Sequence, residues 1–346
     1  MIITITLNAA LDRTQRIEHP LQVGKLNRAV SSHLEPGGKG INVSRAIKAL
    51  GGSSIALGFS AGTNGRIMKD MLTAADIHHD FVDIAGQLRI NTQIIDAQGG
   101  HTEVNEPGNK LDDSDFLRLL DRMENYLDEG NIFVLAGSTP PEFPLKNYRK
   151  LCKTIKKHGC KLIIDAQGEL LLEALGCEPD FVKPNIFELA EAVGDKPSAD
   201  PEVVVHSARK MLDMGAKAVC VSMGQEGALL TAKDEPESLY VTTNPKIYDE
   251  GAVGTGDAMV GAIANAMHAG MKFDEVARYA VAMGRACARL AGTEMASLKK
   301  VYEVYETTQV YVLLAVAESR FRRQAGTDRR PFQSRPKVPI QKLSSS

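Results

Sequence analysis

The chain has 346 residues, 43% hydrophobic and 24% charged, with a formal net charge of −2. That length buries a sizeable core, as one large domain or one domain with a small accessory piece. The near-neutral charge gives no general pull toward nucleic acid or an anionic membrane, so affinity for phosphate must come from local placement.

The first residues, MIITITLNAALD, read as a strand over Ile2–Leu7 that delivers Asn8 and Asp12 at its C-terminal end. No basic region followed by an apolar run marks a signal peptide. Residues 13–34 are polar with short β-prone pieces, ThrGlnArgIle and AlaValSerSer, and Gly24 as punctuation. Then comes EPGGKGINVSRAIKALGG, in which Gly37, Gly38 and Gly40 flank Lys39. A helix is expected from about Ile41 to Leu50, closed by Gly51 and Gly52. Glycines before a helix leave its first N–H groups free where the dipole favours negative charge, so Lys39 there suits an anionic ligand. The bland reading is a solvated lysine in a turn.

A strand over Ser54–Phe59 and a helix over Gly65–Ala75 follow. RINTQIIDAQGGHTEV, Arg89–Val104, breaks the alternation: two strand-like runs around a Gln-Gly-Gly turn form a hairpin. With the β pieces of residues 13–34 it makes a small sheet standing beside the main domain. Arg89 at its base is either a rim charge or a phosphate ligand.

Regular alternation resumes with helices at Asp113–Asp128, Leu145–His158, Glu169–Leu175, Ile186–Val193 and Pro201–Met214. Between them lie strands at Ile132–Ala136, Lys161–Asp165, Phe181–Lys183 and Ala218–Ser222, then a β pair at Ala228–Thr231 and Ser238–Thr242. Such alternation argues a mostly parallel sheet covered on both faces, with ligands bound outside the carboxyl ends of the strands. Asp12, Gly137-Ser138, Asp165, Lys183-Pro-Asn185 and Ser222-Met-Gly224 all fall there.

The loop-to-helix design recurs at DEGAVGTGDAMVGAIANAMH, Asp249–His268, where Gly254, Thr255 and Gly256 lead into Asp257. From this loop alone Asp257 reads first as an N-terminal cap, since Asp is common at helix starts, and second as a catalytic base beside a phosphate. A final helix is expected over about Phe273–Ala291. The apolar run VYVLLAVA, Val310–Ala317, is too short to span a bilayer. Beyond it, Glu318–Ser346 is rich in Arg, Lys, Pro and Ser and reads as a poorly ordered tail. The domain is therefore placed at 1–309, with an extension at 310–346. The five scattered cysteines, without a CxxC, read as reduced thiols of a cytoplasmic protein rather than a disulfide frame or zinc site.

The two glycine segments, in order with LNAALD, RIN, LAGSTPP, FVKPNIFEL and VSMGQEGAL, resemble the motifs of the ribokinase-like (PfkB-type) carbohydrate kinases over about residues 1–309. LNAALD and GGKGIN are similar to the phosphofructokinase and tagatose-phosphate kinase branch, whose acceptor already carries a phosphate. EPGGKGINVSRAIKALGG is also close to the minor-type bacterial 6-phosphofructokinase, which has glycine where Lys39 stands. The resemblance implies an α/β three-layer sandwich with a small β lid, and a kinase using ATP and Mg²⁺. Its acceptor would be fructose 1-phosphate, with fructose 6-phosphate and tagatose 6-phosphate as alternatives. It assigns Asp257 as base and Gly254, Thr255 and Gly256 as donors to the transferred phosphoryl. Asp12, Gly38, Lys39, Asn42, Arg89 and Ser138 would hold the sugar phosphate. Lys183, Asn185, Ser222 and Gly224 would face ATP, and Glu188 the magnesium through water. A homodimer through the lid is expected.

The chain departs from the family pattern at Ala9, Ala252 and Ala258, none of them a charged position. A dinucleotide-dependent oxidoreductase would need GxGxxG after the first strand, where LNAALD stands. A non-catalytic sugar-phosphate sensor would not need Asp257 with its whole glycine loop.

Overall fold

The computed structural model describes residues 1–243, 254–290 and 293–314. In chain order the strands and helices are β1 (Ile2–Thr6), β2 (Ala10–Ile17), β3 (Ala29–Gly37), α1 (Lys39–Ala49), β4 (Ile55–Ala61), α2 (Gly62–Ala74), β5 (His78–His79) and β6 (Val82–Ile84). Then come β7 (Arg89–Ile95), β8 (His101–Asn105), α3 (Asp113–Glu124), β9 (Ile132–Ala136), α4 (Leu145–Lys157), β10 (Lys161–Asp165), α5 (Gly168–Leu175), β11 (Phe181–Val182) and α6 (Ile186–Val193). The chain continues through α7 (Pro201–Asp213), β12 (Ala218–Ser222), β13 (Ala228–Ala232), β14 (Glu237–Thr243), α8 (Thr255–His268), α9 (Phe273–Cys287), α10 (Leu298–Tyr305) and β15 (Thr308–Leu314).

The main sheet runs β15-β14-β13-β12-β11-β10-β9-β1-β4-β5, with β6 also on β4. From β4 to β12 the pairing is parallel, and β13 to β15 continue it antiparallel. Alternation of side chains feeds two cores. Ile2, Ile132, Val134 and Ile163 pack with α1, α8, α9 and α10, whereas Ile3, Ile5, Phe133, Leu135 and Leu162 pack with α3, α4 and α7. Strands apolar on both faces must be covered on both, which gives three layers. The ends of β1, β9, β10 and β11 thus open on one edge, as expected for a ligand crevice.

The second sheet has four strands in the order β3-β2-β7-β8 and is the expected lid, built from the segments named for it. β2 pairs with β7 in parallel, Ala10 opposite Arg89 and Asp12 opposite Asn91, so the hairpin is anchored on the strand that carries Asp12.

Two expectations are corrected. The last helix of the domain is α10, not the helix from Phe273, which ends at Cys287; Ala291 itself lies outside the described residues. Val301 and Val304, three apart on α10, bury one face of this short helix. The boundary at 309/310 also moves, because β15 pairs with β14 from Thr308 to Leu314 and extends the main sheet past it. The expected tail from Glu318 lies outside the described residues, as do Asp249–Val253 with Ala252. All five cysteines are free and buried. No described helix is long and apolar enough to cross a membrane.

Candidate active site

Two described helices have a glycine N-cap at positive φ, α1 at Gly38 (φ 103) and α8 at Gly254 (φ 84), and neither has a side-chain cap. An L side chain is strained there, and without a cap the first N–H groups stay available to an anion. Asp257 is in the first turn of α8, but Gly254 is the N-cap, and the carboxylate turns to α1 instead. Its Oδ2 accepts from Asn42 Nδ2 at 2.9 Å. Both residues are buried. Burial, then the like charge of Asp165, pushes the Asp257 carboxyl up to about 7, against Lys39, Asn42 and Lys183.

Asp165 was placed by sequence at a strand end and given no role. It is 2% exposed and lies between two ammonium groups, Lys39 Nζ on Oδ2 and Lys183 Nζ on Oδ1, each at 3.3 Å. Burial alone would raise its pKa; Lys183 and Lys39 outweigh that and hold it below the ordinary carboxylate value. Burial likewise opposes the charge on Lys39, and Asp165, Asp257 and Glu188 overcome it, raising the pKa of the lysine. The lysine expected on the sugar side and the one expected on the ATP side therefore share a single carboxylate. Lys183 also closes on the glycine loop, since a Cβ on Gly256 would stand 3.2 Å from its Nζ.

Two more residues expected on the sugar side, Asp12 and Arg89, lie on neighbouring lid strands. Asp12 Oδ1 accepts from Asn91 Nδ2 at 2.8 Å. A Cβ on Gly37 would overlap its carboxyl group at 2.3 Å, so only glycine lets β3 approach. Burial raises the Asp12 pKa, opposed by Asn91, Arg89 and Arg45. Arg89 donates to Asn8 O at 2.8 Å, Glu106 O at 3.0 Å and Ala9 O at 3.4 Å. It thus clamps the lid hairpin to the end of β1, which leaves two of the five guanidinium N–H groups for a ligand. The sequence offered a rim charge or a phosphate ligand; the structure adds a clamp role at the base of the hairpin and leaves donors over for a phosphate. Ser138 lies beside Asn8, whose Nδ2 is 3.5 Å from the Ser138 hydroxyl oxygen.

Of the residues expected to face ATP and magnesium, Asn185 and Glu188 form a capping box on α6. The Asn185 Oδ1 accepts from Phe187 N and Glu188 N, and Glu188 Oε2 accepts from Asn185 N, each at 2.9 Å. Ser222 bridges to Asn185 at the end of β12. The turn beginning at Gly224 is held by Arg285 Nη2 on Gly224 O at 2.9 Å and by Tyr240 Oη on Glu226 O at 2.8 Å.

A buried carboxylate with a raised pKa, beside an uncapped helix start and two lysines, suits removal of a hydroxyl proton while an incoming phosphoryl is stabilised. On a three-layer α/β sandwich these features suit a phosphotransferase. The comparisons agree. Residues 3–300 match the family described as pfkB family carbohydrate kinase. The chain is 36% identical to the 1-phosphofructokinase of Bacillus subtilis over 83% of this chain and 92% of that one. It is 32% identical to the ATP-dependent 6-phosphofructokinase isozyme 2 of Escherichia coli, over 88% and 97%. The crystal structure of Escherichia coli phosphofructokinase-2 in complex with fructose-6-phosphate superposes with a TM-score of 0.81 at 30% identity, over 88% of this chain and 98% of that one. The ribokinase of Arabidopsis thaliana shares the fold, with a TM-score of 0.71 at 22% identity over 88% and 98%. The protein belongs to the pfkB family of carbohydrate kinases, and it is an ATP-dependent sugar phosphotransferase.

Proposed function

We propose that the protein is a 1-phosphofructokinase, transferring the γ-phosphoryl of ATP to fructose 1-phosphate to give fructose 1,6-bisphosphate. The observation that carries the reading is the Asp257–Asn42 pair at the head of α8, with Lys39, the first residue of α1, acting on the same carboxyl. Lys39 and the cationic edge at Arg89 favour an acceptor that is itself anionic. The relative from Bacillus subtilis carries the same activity in its name.

In this mechanism Asp12 orients the sugar, and Asp257 accepts the proton of the attacking hydroxyl. The N–H groups at Gly254, Thr255 and Gly256 stabilise charge on the phosphoryl in flight. Lys183, close to Gly256, adds a positive charge on the same side. Magnesium fits the nucleotide side without a protein cage. Among the described residues no group of three His, Cys, Asp or Glu could hold a metal, and Glu188 has one oxygen beyond its capping bond. Mg²⁺ keeps several waters and binds largely to phosphates, so Glu188 would hold it through water. When bound, the ion neutralises phosphate charge.

The lid sheet supports a homodimer. Its edge strands carry exposed apolar residues, Val30 on β3 and Val104 on β8, each 59% exposed. A small sheet with one open face gains stability from a partner. Light scattering at micromolar concentration should give twice the chain mass; a monomer only would exclude it.

The substrate is tested by kcat/KM for fructose 1-phosphate, fructose 6-phosphate and tagatose 6-phosphate. Fructose 1-phosphate should rank first, and a higher value for either competitor would replace the assignment.

A further inference from the structure

Asn42, which donates to Asp257, is itself gripped from the other end. Its Oδ1 accepts from Arg45 Nη1 at 3.3 Å, one turn further along α1. The same Nη1 donates to Thr293 Oγ1 at 3.0 Å. Arg45 Nη2 donates to Glu35 Oε1 at 2.5 Å, and Thr293 Oγ1 donates to Glu35 Oε2 at 2.9 Å. These bonds close a ring from three separate segments: lid strand β3, helix α1 and the residues after α9. Arg45 and Glu35 are each only 15% exposed. Thr293 also backs the glycine loop, since a Cβ on Gly254 would lie 3.6 Å from its methyl group.

The chemistry of the ring has a direction. A guanidinium is all donor, so it takes the oxygen of the Asn42 amide and leaves the nitrogen for Asp257. An Asn42 amide turned the other way would present an oxygen to the carboxylate. That arrangement favours the protonated acid, which cannot act as base.

We propose that Arg45 is a positioning residue: anchored by Glu35 of the lid and by Thr293 beside Gly254, it fixes the Asn42 amide so that it donates to Asp257. The inference rests on Asp257 being the base. The other charged groups acting on Asp257 are Asp165 from β10, Lys39 from α1 and Lys183 after β11, with Glu188 from α6 acting on Lys39. Arg45 reaches the base through Asn42.

The bland alternative is that Glu35–Arg45 only fastens β3 to α1. A double-mutant cycle on the full-length chain separates the two, with kcat measured across pH at saturating ATP and sugar phosphate. Arg45→Met should lower kcat about tenfold, the size of one lost hydrogen bond to a charged group, and move the acid limb to higher pH. In an Asn42→Ala background the same change should cost less than about twofold, because coupled residues are not additive. KM for ATP should stay unchanged. Arg45→Met strands the Glu35 carboxylate, so Thr293→Val, nearly isosteric and uncharged, provides a second route and should shift the profile in the same direction by less. A loss equal at every pH and equal in both backgrounds would overturn the proposal and leave Arg45 as a fastener. Asp257→Asn measured alongside keeps the two questions apart: if it stays active, the base assignment fails, whatever the cycle shows.

Discussion

Asp257→Asn tests the proposed base and its buried setting by two independent readouts. The substitution keeps the shape and removes the charge. As a base, Asp257 contributes general-base catalysis of about 10²–10⁴-fold, so kcat should fall by that factor. Stability should move the other way. The Asp257 carboxyl is held at about 7 in the folded chain against 3.8 for the ordinary group. Between those values the unfolded chain has released its proton and the folded chain has not. Stability from this group is therefore fully present below pH 3.8, declines as pH rises toward 7, and stays reduced above it. At 1.36 kcal/mol per unit, that window is on the order of 4 kcal/mol as an upper bound.

Asparagine has no such window. The variant should match the wild type near the acid end and exceed it at pH above 7, read as urea midpoints at both pH values. A buried carboxylate with only a structural role would show the same stability change, but turnover would survive. A variant that kept more than about a tenth of wild-type kcat would refute the base assignment, and a stability difference independent of pH would refute the raised carboxyl.

Two further substitutions test the rest of the site. Asp165→Asn would leave Lys39 and the buried Lys183 without their carboxylate, and breaking a buried pair of this kind costs about 3–5 kcal/mol, measurable as a lower urea midpoint at neutral pH. Because the Asp165 pKa is depressed, its contribution is present above 3.8 and is lost as pH falls below it, so the variant and the wild type should converge in acid. Arg89→Ala should raise KM for the sugar phosphate about tenfold to a hundredfold and leave KM for ATP unchanged, as expected for loss of a charge-assisted bond; equal rises in both would remove Arg89 from the acceptor site.

The alternation of strands and helices was legible because each strand is short, apolar and closed by a turn residue, and the two glycine segments marked both helix starts. The short pieces β5, β6 and α10 were not, since two or three strand residues or a single pair such as Val301 and Val304 carry too little periodicity. β15 overlaps the run Val310–Ala317, which was read only for its length; what makes it a strand is β14, far from it in sequence. The same limit applied in the site. Asp257 and Asn42 are 215 positions apart, and Thr293 and Glu35 are 258 apart, so no spacing rule joins them. Asp165 carried a usable signal, a charged residue ending the apolar strand KLIID in a parallel sheet, and Asn185 with Glu188 carried the spacing of a capping box. Arg45 carried none, because an arginine on a helix is ordinarily a solvated charge.

Chain continuity shows why so many of these residues come from one stretch. Lid strand β3 ends at Gly37 and helix α1 begins at Lys39, so a single residue, Gly38, separates the lid from the helix that presents Lys39 and Asn42. A longer linker would let the two elements move independently. With one residue, a change in the direction of β3 must be taken up at Gly38 or passed into α1. The Glu35–Arg45 ion pair spans the same joint from the side, tying strand to helix ten residues apart. A tilt of the lid strand that pulled on Glu35 would reach, through Arg45, the amide that faces Asp257. If the sugar phosphate binds beneath the lid as proposed, its occupation would act, through covalent chain and ion pair together, on the amide that faces the proposed base.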